Sequence, residues 1–213
     1  MALAAAAATA PAATVTLGAA SAAKARGAPV ILIVGDSLSA EYGLARGSGW
    51  VALLEKRLAQ QKVPARVVNA SISGETTSGG RSRLPALLAQ HKPTHVVLEL
   101  GGNDALRGLP LAQSEVNLTA MARAAKAEQA RVTVVGMQVP PNYGRQYGAD
   151  FATMFAKVAK AESAALVPFL LKGVADIDNA ESMFQPDRIH PRDTAHPVML
   201  DNVWPVLRAQ LPR

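Results

Sequence analysis

The sequence contains no cysteine. Disulfides, thiolate metal sites and a cysteine nucleophile are therefore excluded. A cysteine-free chain tolerates either redox compartment, so the absence does not place it. Aromatic residues make up only 4% of the 213. No basic run is interleaved with aromatics, and the nearest thing to a cluster is Arg81 and Arg83. The net charge of +6 thus reads as a solvated basic surface, with no nucleic-acid partner expected. Beyond the first 28 residues no stretch is long and apolar enough to span a bilayer, so no integral membrane association is expected. No serine has glycine two places before and two places after it, as the nucleophile elbow of an α/β-hydrolase requires. There is no Gly-x-x-x-x-Gly-Lys phosphate loop. Gly47 to Ala52 fits a dinucleotide pattern in its alanine variant, but it lies a dozen residues past the first strand, where that pattern has no mechanism.

What is present begins with an alanine-rich leader. Fifteen of residues 1–28 are alanine, none is acidic, and the first charge is Lys24. Such a stretch cannot pack as a domain. Its apolar part ends in Ala20, Ser21 and Ala22, a small-residue cleavage pattern. The basic start of a signal peptide is missing, because Met1 runs straight into the apolar part. Two readings stay open: a signal peptide whose true start lies upstream, or a low-complexity disordered tail. Export to the periplasm or beyond is the expectation. Residues 29–213 are expected to form a single domain, a length that suits one sizeable core.

From Pro29 onward, strand and helix patterns alternate. Val30–Val34, Arg66–Ala70, His95–Leu100, Arg131–Val135 and Leu166–Phe169 are short apolar runs that read as buried strands. Between them, Trp50–Leu58, Leu84–Gln90, Glu115–Gln129 and Asp150–Ala164 have helical spacing. Thr194–Leu211 reads as a last helix interrupted by Pro197 and Pro205. Alternation with short connections implies βαβ units. The expected fold is α/β, a three-layer α/β/α sandwich around a doubly wound, five-stranded parallel sheet of flavodoxin-like type.

Such sheets bind ligands beyond the carboxyl ends of their strands. The first three strands end in Gly35-Asp36-Ser37, Asn69-Ala70-Ser71-Ile72-Ser73-Gly74 and Gly101-Gly102-Asn103-Asp104. Each alone is an ordinary turn. Three on one edge point to a site. Ser37 could be a nucleophile, but a hydroxyl needs a base. Of the four histidines, His91 and His95 sit at the start of the third strand. A five-residue strand spans roughly 17 Å, so neither reaches Ser37. His190 and His196 remain, each with an aspartate three residues earlier, Asp187 and Asp193. The spacing lets a carboxylate orient either ring and does not choose between them. A metal hydrolase using Asp187, His190, Asp193 and His196 and a non-catalytic flavodoxin-like ligand-binding module are the rival readings.

These blocks, in this order, resemble the SGNH or GDSL hydrolase family. Gly35-Asp36-Ser37-Leu38 is similar to its first block, Gly74 to its second, Gly101-Gly102-Asn103-Asp104 to its third, and Asp187-Arg188-Ile189-His190-Pro191 to its fourth. The likeness runs from Val30 to Leu211 and is nearer to the thioesterase I, arylesterase and lysophospholipase branch, which is typically exported. Arg188 departs from it, since that branch usually has a small residue there. The resemblance implies a serine esterase or thioesterase with Ser37, Asp187 and His190 as catalytic residues. It selects His190 over His196. It further implies an oxyanion hole from the Ser37 and Gly74 N–H groups and the Asn103 amide, no cofactor, no metal, and a small-molecule acyl ester or thioester as substrate. Asp36 and Asp104 are expected only to hold turns. Oligomeric state is left open.

Overall fold

The computed structural model describes residues 27–212, so the leader reading lies outside the described residues. Five strands form one all-parallel sheet, ordered β2-β1-β3-β4-β5. They are β1 (Val30–Gly35), β2 (Arg66–Asn69), β3 (His95–Glu99), β4 (Arg131–Val135) and β5 (Ala165–Val167). Six α-helices connect and cover them: α1 (Trp50–Gln60), α2 (Thr77–His91), α3 (Gly102–Leu106), α4 (Leu111–Ala127), α5 (Arg145–Ala161) and α6 (His196–Arg208). The α/β fold and its parallel sheet are as the alternation predicts.

The unbroken apolar runs follow from burial on both faces. In β1, Ile31 and Ile33 face a core shared with Trp50 and Leu54 of α1 and Val203 and Leu207 of α6. Leu32 and Val34, pointing the other way, join Leu84 and Leu88 of α2, Leu118 and Met121 of α4, and Phe151 and Phe155 of α5. Side chains of alternate residues thus feed two separate cores. The order of strands reverses between β1 and β3, so the crevice of this sheet opens there. The loops after β1 and β3 are its two walls.

Helix starts differ from the sequence expectation. Helix α2 begins at Thr77 rather than Leu84, capped by the Thr76 side chain, which accepts the Gly79 N–H. Its first turns hold Ser78, Gly79 and Gly80, which carry no apolar period. Gly80 is there for space, since a Cβ would overlap Leu100 Cδ1. The turn after β3 is itself the short helix α3. Helix α5 starts at Arg145, five residues before the apolar spacing becomes regular. Strand β5 stops at Val167, and Phe169 packs from the turn beyond it. Pro197 does not interrupt α6; it lies in the first turn, where a backbone N–H has no helical partner.

Candidate active site

Ser37 sits in the turn that leaves β1, partly exposed between buried Asp36 and Leu38. His190 lies 153 positions later, yet its Nε2 is 2.9 Å from Ser37 Oγ. Its Nδ1 is 2.7 Å from Asp187 Oδ2. A carboxylate can only accept, so the Nδ1 proton is the one that points at Asp187. Nε2 is left as the acceptor for the Ser37 hydroxyl. Asp187 is held in turn: its Oδ1 accepts the N–H groups of Ile189 and His190, each at 3.0 Å. Partial desolvation works to raise the Asp187 pKa. The His190 ring bond and the two backbone donors outweigh it and bring it down to about 2. Asp187 therefore stays ionised across any ordinary working pH. Arg188, between them, has φ of 58°. Any Cβ in this left-handed region costs about 1 kcal/mol.

Two backbone donors near the serine are unused. Among the described residues, neither the Ser37 N–H nor the Gly74 N–H meets an acceptor. Gly74 has φ of 79°, and its carbonyl is tied at 2.8 Å to Arg107 Nη2 from the loop after β3. Asn103, on α3, donates one amide hydrogen to Asp36 Oδ2 at 3.0 Å. An asparagine amide has two hydrogens, so the second remains for a ligand. Ser37, His190 and Asp187 are thus in contact, Asn103 is bonded to Asp36 beside Ser37, and Gly74 is tied to Arg107.

Asp36 does more than hold its turn. Its Oδ1 accepts the Leu38 N–H at 3.0 Å while Oδ2 fixes Asn103. Burial pushes its pKa up to about 6, against the Leu38 and Asn103 hydrogen bonds and the nearby His190. Asp104 accepts the Thr77 N–H and hydroxyl and the Ser114 hydroxyl, tying α3 to α2 and α4. Beneath the serine turn lies a group that the sequence reading missed. Glu99 is buried at the end of β3, and its Oε2 accepts the Ser39 hydroxyl at 2.7 Å and the Asp36 N–H at 3.3 Å. Ser39 in turn accepts the Trp50 indole N–H at 3.1 Å. Burial pushes the Glu99 carboxyl well above the usual range, and the neighbouring Asp36 charge pushes the same way. Gly35 makes room for this contact, because a Cβ there would stand 2.7 Å from Glu99 Oε2. A lone acid between Leu98 and Leu100 in a buried strand was the available signal.

Two of the other histidines, His95 and His196, are structural. His95 contacts the Gln210 carbonyl, at the amino end of β3. His196 is 2% exposed, and its Nδ1 accepts the Trp50 N–H at 2.9 Å. It fixes the start of α1 and does not join Ser37. Burial pulls its pKa down from 6.5 to about 4, against the pull of Glu41, Asp193 and Pro191. The unfolded chain therefore takes up this proton before the folded chain does. The stability gained is complete above pH 6.5 and drains away as pH falls toward 4. Thermal melts across this window should show Tm falling for the wild type. His196→Asn should have a lower Tm at neutral pH and a shallower decline. An equal decline in the variant would assign the acid sensitivity to other groups.

Comparisons with known proteins identify the family. Residues 33–198 match the GDSL-like Lipase/Acylhydrolase family. Over 184 residues the chain is 53% identical to esterase TesA of Pseudomonas aeruginosa, covering 86% of this chain and 90% of that protein. Over 178 residues it is 41% identical to thioesterase 1/protease 1/lysophospholipase L1 of Escherichia coli, covering 84% and 83%. The crystal structure of TesA superposes with a TM-score of 0.82, at 53% identity, over 85% of this chain and 99% of that one. The chain belongs to the GDSL-like lipase/acylhydrolase family, and its activity is that family's hydrolysis of carboxylic esters or thioesters.

Proposed function

We propose that hydrolysis proceeds through a covalent acyl-Ser37 intermediate. The observation that carries this is the continuous line from Ser37 Oγ to His190 Nε2 and from His190 Nδ1 to Asp187. As Oγ attacks the acyl carbon, His190 takes its proton at Nε2. Asp187 fixes the tautomer and stabilises the imidazolium. The tetrahedral oxyanion is met by the Ser37 and Gly74 N–H groups and the free Asn103 amide hydrogen. His190 then returns the proton to the departing oxygen or sulfur. A water, deprotonated by the same nitrogen, attacks the acyl-serine, and His190 passes that proton to Ser37 Oγ as the acid leaves.

Substrates are small-molecule acyl esters and thioesters: aryl esters, acyl-CoA and lysophospholipids. The names of the relatives support esters, thioesters and lysophospholipids, and the exposed side chains of Ile72, Leu106 and Leu109 on the loops after β2 and β3 support an acyl chain. An acyl chain laid across them would be shielded from water. Among the described residues no helix is long and apolar enough to cross a membrane. Export is the reading that the alanine-rich leader supports, and sequencing the mature amino terminus tests it.

The intermediate can be trapped. Acid quenching during turnover of a p-nitrophenyl ester, followed by peptide mass spectrometry, should find the acyl mass on the peptide holding Ser37. Activity should be unchanged in EDTA. Loss of activity in EDTA with no acylated peptide would replace this mechanism by the metal-dependent one.

A further inference from the structure

The Ser37–His190 contact joins two loops that are far apart in sequence, and one side chain spans them. Gln185 is the first residue within the histidine loop, which an isolated antiparallel bridge between Phe184 and Pro191 closes at its base. Its backbone N–H donates to the His190 carbonyl at 2.8 Å. Its side-chain Nε2 donates to the Pro191 carbonyl at 3.1 Å and to the Tyr42 carbonyl at 2.9 Å. All three donors of this residue thus go to the two loops that carry Ser37 and His190. The glutamine lies directly over Gly43, whose φ is 71° and where any Cβ would overlap the amide oxygen. The second jaw is Tyr42 itself. Its ring lies over the His190 imidazole, with centroids 4.2 Å apart and planes tilted by 34°.

We propose that Gln185 and Tyr42 form a clamp that sets the Ser37–His190 distance and ring orientation. They are positioning residues, acting through His190, and the clamp rests on the acyl-Ser37 reading above. Two hydrogen bonds from one rigid amide fix how far the histidine loop stands from the serine turn. The aromatic face, packed on the imidazole, limits its rotation. Small displacements at a proton-transfer contact are costly, up to about 10²-fold for 1 Å.

The test uses p-nitrophenyl butyrate with the full-length enzyme. Gln185→Ala removes the side-chain donors, and Gln185→Glu replaces them with a group that can only accept. Both should lower kcat by about tenfold or more and leave KM nearly unchanged. Tyr42→Ala should also lower kcat and leave KM nearly unchanged, because the imidazole loses the face that limits its rotation. Tyr42→Phe keeps the ring and should restore kcat. The decisive comparison is a double-mutant cycle with His190→Ala. If Gln185 acts through His190, adding Gln185→Ala to His190→Ala costs nothing further. A wild-type kcat in Gln185→Ala, or an undiminished Gln185 effect in the His190→Ala background, overturns the clamp and leaves the mechanism standing. Full activity in His190→Ala overturns the mechanism and the clamp with it.

Discussion

Replacing Ser37 with alanine is expected to lower kcat on p-nitrophenyl esters and acyl-CoA by roughly 10⁴–10⁶-fold, while substrate still binds. The size follows from what is removed. Without Oγ no acyl-enzyme forms, and the reaction falls back on water held against the oxyanion donors. His190 keeps Asp187 and can still act as a base toward that water, so a residue of catalysis survives. Stability should change little, since Ser37 is partly exposed and, among the described residues, its side chain hydrogen-bonds only to His190. A matching loss in His190→Ala is expected, because nucleophile and base act as one unit and their losses do not add. The measurement is single-turnover and steady-state kinetics on the same ester, with thermal melts as the folding control. Activity within tenfold of wild type in Ser37→Ala, in protein free of wild-type contamination, would remove Ser37 from the mechanism.

Much of this site was legible in the sequence because its parts are local. Gly35, Asp36 and Ser37 follow an apolar run, as do Gly101, Gly102 and Asn103. A parallel sheet forces both turns to one edge. The pairing of His190 with Asp187 is a matter of three residues. The choice between His190 and His196 was not local. It depends on His196 being buried against the start of α1, where its ring nitrogen is used by Trp50. Helix α2 escaped for a related reason. Its first turns, around Gly79 and Gly80, are shaped by the need to approach Leu100 and not by an apolar stripe of their own.

The layers behind the site were invisible for a physical reason: each contact crosses from one element to another. Glu99 reads as an odd charge in a strand. Only the fold shows that it accepts the Asp36 N–H and the Ser39 hydroxyl from the turn above. The same peptide then carries Ser37. Gln185 and Tyr42 are 143 positions apart. Single-residue patterns identify groups that perform chemistry, because chemistry restricts residue type. They do not identify groups that hold a distance, because many side chains can hold one.

Asn103→Ala is expected to lower kcat by about 10²–10³-fold and to change KM far less. The asymmetry is the point of the experiment. A ground-state carbonyl oxygen carries little charge, so a donor aimed at the oxyanion gains its strength as the tetrahedral intermediate forms. Removing it therefore penalises the transition state more than the bound ester. Asn103 is suited to this because it is preset. One of its amide hydrogens is committed to Asp36 Oδ2, so the amide plane need not reorganise as the other meets the oxyanion. Asp36→Ala should consequently reproduce part of the Asn103 loss, acting through a freed amide, although it also removes the Leu38 N–H bond. In Asn103→Ala, the further cost of Asp36→Ala should shrink to whatever the Leu38 bond alone contributes. Equal losses in kcat and substrate affinity for Asn103→Ala would mean that the amide binds the ester itself. The oxyanion would then rest on the Ser37 and Gly74 N–H groups alone.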